Sequence, residues 1–198
     1  MKKLIYLFTL IPLVAIGQQK NSVYVYNSNG KLTSVDSLFN FDHKTHHLWG
    51  TIHNDSIIYQ TIETKPLSTD KVIYKRIYSE IQKHQLKIAY DNSPIVLAYN
   101  FKDDICHNNP LNKSFLKDQK KIALNELGKK HQAVNYYQVF EQDVDVKYQK
   151  DFILIDSNGY FKTNLFDQPA LCGALIIVYP NNDYKIYYGE QAIFEIEK

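Results

Sequence analysis

The sequence predicts one α/β domain with a small antiparallel β extension before it. Two apolar, strand-like runs flank a helical pattern between residues 95 and 140, an arrangement typical of a parallel β-α-β unit. Short strand-like segments dominate the stretch before it, and two more close the chain around a turn. The composition is 44% hydrophobic and 22% charged, which is that of a globular protein and excludes a disordered or collagen-like chain.

The first 17 residues have the layout of a secretory signal peptide. Lys2 and Lys3 precede an apolar stretch over residues 4–16, and the small residues Ala15 and Gly17 follow. That stretch has 13 residues, whereas a membrane-spanning helix needs about 20. We therefore expect cleavage after Gly17, export to the periplasm or the exterior, and no stable membrane insertion after signal removal.

The charge balance argues against an electrostatic partner. The whole chain carries 23 basic and 21 acidic residues, and Lys2 and Lys3 belong to the expected signal peptide, so the remainder is neutral. Neutrality excludes a nucleic acid or an anionic membrane as the expected partner and leaves a protein or peptide. The chain has no phosphate-binding or dinucleotide-binding glycine motif and no Gly-x-Ser-x-Gly, so no cofactor is expected.

Residues 18–85 are expected to form the β extension and a connecting helix. Val23 to Tyr26 is rich in strand formers, and Asn29-Gly30 predicts a hairpin turn after it. A second hairpin is expected from residues 48–52 and 57–62. Residues 68–85 then change to a helical period, with an apolar stripe on one face. The stripe is built on Ile73, Ile77 and Ile81, and the candidate N-caps are Ser68, Thr69 and Asp70.

Residues 86–198 are expected to form the core of the domain. Residues 95–99 predict a buried strand, residues 112–127 a helix, and residues 133–140 a strand parallel to the first. Residues 174–179 and 184–188 flank a turn and predict a closing antiparallel hairpin.

Cys106 is the strongest candidate for chemistry. It follows the first buried strand after a short loop and precedes the helix, where unpaired N–H groups favour a thiolate. Asn100-Phe101 before it resembles the Asn-Phe-Trp segment of secreted thioredoxin-like proteins, which include envelope thiol-disulfide oxidoreductases. The resemblance implies a thioredoxin-like three-layer sandwich. It also implies that Pro169 is a cis-proline that faces the active site.

The motif departs from that family at the second cysteine. Cys106 is followed by His-Asn-Asn, so Asn109 stands where a resolving thiol is expected. Cys172 is the one other cysteine, and three alternatives stay open. The two form a structural disulfide, remain free thiols, or act as an attacking and a resolving cysteine. Accordingly Cys106, Cys172 and Pro169 are the candidate catalytic residues.

A histidine cluster is the second candidate site. Four histidines lie within eleven residues. In a helix, the spacing between His43 and His46 or His47 would allow two imidazoles to bind one metal ion. Trp49, Gly50 and the flanking strands indicate a loop or hairpin instead, so we expect a polar surface loop without metal. Asp151 and Asp156 are expected at the surface. The histidines are His43, His46, His47 and His53.

Together these observations predict an exported thioredoxin-like domain with a degenerate active site, acting as a non-catalytic binding or structural module of the cell envelope. One alternative is an atypical thiol-disulfide oxidoreductase in which Cys106 attacks and Cys172 resolves. Another is a ligand-binding α+β protein that uses its tyrosine-rich sheet; the chain has 16 tyrosines.

Overall fold

The computed structural model describes residues 22–68, 70, 73–84, 86, 88–107, 113–129, 133–146 and 151–189. The expected signal peptide, Thr69 and Asn109 lie outside these ranges. The described chain forms two mixed β-sheets and three α-helices, which confirms the α/β class. No helix in this part of the chain has the length and apolar character that crossing a membrane requires.

The N-terminal sheet has four strands in the order β2-β1-β4-β3. Both predicted hairpins are confirmed, because β1 pairs antiparallel with β2 and β3 pairs antiparallel with β4. The sheet is not purely antiparallel, however, since β1 pairs parallel with β4. The chain between the hairpins, with a 3₁₀ turn at Val35–Leu38, brings the two strands side by side in the same direction. The strands are β1 (Val23–Tyr26), β2 (Leu32–Thr33), β3 (His46–His53) and β4 (Ser56–Glu63).

The second sheet has five strands in the order β7-β6-β5-β8-β9. As predicted, β5 and β6 are parallel and β8 and β9 form an antiparallel hairpin. The β8 strand enters the sheet beside β5, antiparallel to it, and so lies near the centre. The strands are β5 (Ile95–Asn100), β6 (Asn135–Glu141), β7 (Ile153–Asp156), β8 (Ala174–Val178) and β9 (Tyr184–Tyr188).

Helices cover both faces of the five-stranded sheet. Alternate residues of a strand point to opposite faces, and two apolar clusters result. Helices α1 (Tyr74–Lys83) and α3 (Tyr160–Asn164) pack on the face of Leu97 and Tyr99. Helix α2 (Lys113–Gly128) packs on the opposite face, against Val96 and its neighbours. These central strands are buried on both sides, which explains their continuous apolar runs.

Helix α1 begins later than predicted, and its cap comes from a distant part of the chain. Its N-cap residue is Ile73, which has no capping side chain. Instead the Tyr74 N–H donates to Asn182 Oδ1 at 2.9 Å, from the turn between β8 and β9. The expectation that the helix begins next to Ser68 or Asp70 is therefore wrong. A tertiary contact supplies the acceptor that a local Ser or Asp supplies in most helices.

Strand β7 and helix α3 were not predicted, and Asp156 links them. The expectation of a surface position is wrong for Asp156, which is 1% exposed. Its carboxylate accepts the N–H groups of Phe161 at 3.1 Å and Lys162 at 2.8 Å, and the Tyr99 hydroxyl donates to it at 3.2 Å. This one side chain therefore satisfies the second and third N–H groups of α3 and joins that helix to β5, while the first N–H group, of Tyr160, donates to Asn158.

We expect Asp156→Asn to lower the free energy of unfolding by about 2 kcal/mol, because an amide nitrogen cannot accept the bonds that Oδ2 accepts. Urea denaturation followed by circular dichroism measures the change. Asp151→Asn is the matched control, since Asp151 is exposed and should give a change below about 0.5 kcal/mol. Equal effects of the two substitutions would contradict the capping role.

Candidate functional site

A disulfide joins Cys106 and Cys172 at the carboxyl end of β5. Cys106 lies in a 3₁₀ turn, Ile105–His107, and is exposed. Cys172 lies in the turn that leads into β8 and is half-buried. The bridge spans a separation of 66 residues with a Cα–Cα distance of 5.2 Å, which is within the usual range. Of the three alternatives for these cysteines, two free thiols do not agree with the structure, in which the sulfurs are bonded to each other.

The turn that carries Cys172 has an unusual backbone. Cys172 and Gly173 have φ values of 60° and 92°, so two consecutive residues are in the left-handed region. Gly173 also approaches β5 closely, because a Cβ built on it would lie 2.5 Å from the Tyr99 carbonyl oxygen. Only glycine fits there, and its close approach holds Cys172 within bonding reach of Cys106.

Asp104 places a buried carboxyl group beside the disulfide. The side chain is 1% exposed, and Oδ1 accepts the Cys106 N–H at 3.0 Å. Burial raises the pKa of Asp104 to about 6, although the N–H groups of Cys106, Cys172 and Gly173 act in the opposite direction. Its carboxylate and the two sulfurs lie within 4.8 Å of one another.

Lys102 does not serve as a cation for Cys106. Its Nζ pairs with Asp143 at 3.2 Å, and its N–H donates to Glu141 Oε2 at 3.1 Å. Glu141 ends β6 and also pairs with Lys162. The charges at this sheet edge therefore neutralise one another. Among the described side chains, the Asp104 carboxyl is the ionisable group that lies within 4.8 Å of the two sulfurs.

Pro169 is not a cis-proline. Among the described residues no peptide bond is cis, so this implication of the resemblance is wrong. Pro169 instead presents its carbonyl oxygen to His47 Nε2 at 3.2 Å. The segment before Cys172 thus contacts the N-terminal sheet, and Pro169 contributes its backbone to that contact.

The histidine cluster is not gathered at one point, because three of its members lie along strand β3 and His43 precedes that strand. No three-ligand group in the described ranges includes a histidine. His53 lies at the exposed β3–β4 turn, whereas His47 is 7% exposed, so a surface loop is wrong for His47. Its Nε2–H donates to Pro169, Nδ1 accepts from Thr64 Oγ1 at 2.9 Å, and the ring stacks on Tyr188.

His47 is expected to make stability depend on pH. Burial lowers the pKa of His47 to about 4, whereas an unfolded histidine titrates near 6.5. Between these values the unfolded chain binds the extra proton, so the free energy of unfolding falls by roughly 2 kcal/mol as the pH drops from 7 to 5. His47→Gln should remove this contribution to the pH dependence of the free energy of unfolding, which urea denaturation at several pH values measures. His53→Gln, at an exposed position, should keep it; loss of slope there would contradict the assignment.

The N-terminal sheet packs directly on the segment that carries Cys172. The Leu171 N–H donates to the Leu48 carbonyl oxygen at 2.7 Å, along the edge of β3. A Cβ on Gly50 would lie 2.9 Å from Leu171 and 3.1 Å from Ile105, the neighbours of the two cysteines. The absence of a side chain at Gly50 therefore allows β3 to pack closely against the neighbours of both cysteines.

A cleft of about 710 Å³ opens beside this contact. It lies between β3 and β9, which are edge strands of their sheets, and we call it the β3–β9 cleft. Its wall combines imidazoles, an ammonium group and tyrosines. The lining residues are Phe41, His43, Lys44, His46, His47, Leu48, Thr64, Leu171, Ile186, Tyr187, Tyr188 and Gly189. The Tyr188 hydroxyl is buried and has no hydrogen-bond partner among the described residues.

Sequence reasoning missed Asp104 and the β3–β9 cleft. An aspartate two residues before Cys106 is a signal for a side-chain turn, because the carboxylate can accept that N–H. Gly50 within a strand pattern is a second signal, since it indicates close approach of another segment. The cleft has no local signal, because β3 and β9 are far apart in sequence.

Comparison with known proteins leaves the chain without an assigned relative. No protein-family model matches it, and neither a curated protein nor a solved structure matches it.

Proposed function

We propose that this chain is an exported, thioredoxin-like binding module that holds an extended peptide segment of a partner protein in the β3–β9 cleft. The cleft itself is the observation that carries the proposal, because it combines a volume of about 710 Å³ with two bordering edge strands. Edge strands offer backbone groups to an incoming strand, and side-chain pockets then select its sequence. The disulfide acts as a structural bridge that fixes the wall next to Leu171.

The lining of the cleft favours a peptide with an acidic and an aromatic side chain. Lys44 and His43 are exposed at the cleft and can pair with a carboxylate. His47 and Tyr188 stack with ring centroids 4.2 Å apart and form a flat wall. Aromatic rings supply contact area at low entropic cost.

The proposed fold and location have separate support. A cysteine follows the first strand of a parallel β5-α2-β6 unit, and an antiparallel β8–β9 hairpin closes the same sheet. That arrangement supports the thioredoxin-like proposal. The disulfide is compatible with an oxidising compartment outside the cytosol. The disulfide thus supports the proposed export.

A thiol-disulfide oxidoreductase is the second candidate, and the exposure of Cys106 favours it. A thiolate of a substrate dithiol can reach Cys106 Sγ, and Cys172 leaves as a thiolate. The second substrate thiol then attacks the mixed disulfide and releases Cys106, so two electrons pass to the protein. The Asp104 carboxylate lies within 4.8 Å of both sulfurs, which is near enough for one intervening water to carry a proton to and from it in these steps.

Insulin reduction separates the two candidates. With dithiothreitol as the reductant, the oxidoreductase predicts turnover that Cys106→Ala abolishes, whereas the binding module predicts equal rates for both proteins. Peptide binding is tested by selecting displayed random peptides on the full chain and titrating the selected peptides. Lys44→Gln should weaken binding at least tenfold, and Lys31→Gln, exposed outside the cleft, should not. Equal affinities for the two variants would overturn the cleft as the binding site.

A further inference from the structure

We propose that the reduced form of this chain binds one divalent, thiophilic metal cation, with Zn²⁺ as the first candidate. The ligands are Sγ of Cys106, Sγ of Cys172 and a carboxylate oxygen of Asp104. This site is separate from the peptide cleft and does not depend on the proposed function. It is a group of three ligand atoms that the fold brings together within 4.8 Å.

The distances suit tetrahedral zinc coordination. Zn–S bonds near 2.3 Å and Zn–O bonds near 2.0–2.2 Å place neighbouring ligand atoms about 3.5–4 Å apart. The carboxylate lies within 4.8 Å of both sulfurs, so small side-chain rotations suffice to bring the three ligand atoms to that separation. The sulfurs of Cys106 and Cys172 move apart once their bond is broken, through rotation about each Cα–Cβ bond. The Cα–Cα distance of 5.2 Å allows this without a change in the backbone.

The local electrostatics favour a cation at this point. In the reduced protein two thiolates would join the buried Asp104 carboxylate. The N–H groups of Cys106, Cys172 and Gly173 already face that carboxylate, but they do not neutralise three negative charges, whereas a divalent cation offsets two of them. The nearest basic residue in sequence, Lys102, already pairs with Asp143. The bond from the Cys106 N–H to Asp104 Oδ1 fixes the orientation of the carboxylate. Support of this kind for a ligand raises metal affinity.

The three ligands differ in their exposure to solvent, which gives the ion a route into the site from one side. Asp104 is buried, Cys172 is half-buried and Cys106 is exposed. An ion can enter from the Cys106 side, and water can occupy the fourth position there. Two thiolates with a carboxylate favour Zn²⁺ over Mg²⁺ or Ca²⁺, which prefer oxygen ligands alone, while the carboxylate disfavours Cu⁺.

The chemistry has two balanced steps. A dithiol reductant gives two electrons and two protons to the disulfide, and its own sulfurs become a disulfide. Zn²⁺ then displaces one proton from each cysteine thiol, so two protons leave as two Zn–S bonds form. The cation thereby replaces one cross-link between the Cys106 turn and the Cys172 turn by another. Oxidation by a disulfide reverses both steps and releases the ion.

The experiment uses the full chain without its signal peptide and without an affinity tag. A phosphine reduces the disulfide, and Co²⁺ is added anaerobically because its thiolate charge-transfer absorption reports sulfur ligands. We expect one Co²⁺ per chain, displacement by Zn²⁺, and no absorption with the oxidised protein. Loss of binding in Cys106→Ser and Cys172→Ser is expected, and Asp104→Asn should weaken Zn²⁺ binding at least tenfold.

Control variants test whether the metal is bound by the two cysteines and Asp104 rather than by histidines. The double variant with His43→Gln and His46→Gln should bind as the unchanged chain does. If the histidine variant loses binding and the cysteine variants keep it, the proposal is overturned. Equal affinity of Asp104→Asn and the unchanged chain would also overturn the three-ligand site. Should Asp104→Asn fail to fold by circular dichroism, the Co²⁺ spectrum of the unchanged chain decides: absence of thiolate charge transfer overturns the proposal.

Discussion

Replacing both Cys106 and Cys172 by serine is expected to lower the free energy of unfolding by about 4 kcal/mol. The bridge closes a loop with a sequence separation of 66 residues, so its removal restores a large conformational freedom to the unfolded chain. The loop contains β6 and the edge strand β7, so the bridge restricts the part of the unfolded chain that supplies two of the five strands of the sheet. Urea denaturation of the double variant and the oxidised protein, with a chelator present, measures the difference.

Reduction of the unchanged chain is the matched control for this experiment. Reduction removes the same cross-link and adds only one hydrogen to each sulfur. The loss of unfolding free energy on reduction should therefore agree with that of the double variant to within about 1 kcal/mol. A loss below about 1 kcal/mol in both would contradict the structural role of the bridge. It would favour instead a strained, easily reduced disulfide of the kind used in exchange reactions.

Gly173→Ala is expected to destabilise the protein by about 3 kcal/mol, the second largest effect. The new methyl group would lie 2.5 Å from the Tyr99 carbonyl oxygen, which belongs to the backbone of central strand β5 and cannot move aside. The positive φ of 92° adds a penalty for any residue with a Cβ. Since Cys172 is adjacent, we also expect slower closure of the disulfide during oxidative refolding.

Gly30→Ala isolates the second of these two contributions. Gly30 has a φ of 72°, but a Cβ there would meet no atom within 4 Å. Its substitution should therefore cost about 1 kcal/mol, from backbone conformation alone. Thermal or urea denaturation of both variants gives the comparison. Equal losses would show that the contact with Tyr99 contributes nothing.

Local signals in the sequence account for most of the strands. Asn54 and Asp55, with φ values of 47° and 60°, form the turn that their residue types predict. The continuous apolar run of β5 indicated a strand buried on both faces, as it is. The turn-flanked tyrosine-rich segments likewise predicted the β8–β9 hairpin. In each case the information lies within about ten residues, where periodicity and turn chemistry act.

The parts that were missed depend on distant residues. Asn182 caps α1 from 108 residues away, and no periodicity near Tyr74 can report it. The parallel pairing of β1 with β4 joins two hairpins that were each recognisable alone. Nothing near Asp156 in the sequence distinguishes it from the surface acids of the chain. It is nevertheless buried, because Tyr99 and α3 supply its hydrogen-bond partners. The cleft and the position of Asp104 beside Cys172 arise in the same way.

The position of β8 next to β5 determines the order in which the sheet and the disulfide can form during synthesis. Cys106 leaves the ribosome 66 residues before Cys172, an interval of roughly 3–13 s at ordinary rates of translation. Throughout that interval β5 has an open edge and Cys106 has no partner within its own chain. Residues 172–178 supply the second sulfur and strand β8 together, and β9 completes the sheet afterwards. Disulfide formation in this protein therefore reports that the segment next to β5 has been made, and a nascent chain arrested before residue 172 exposes both a strand edge and a thiol.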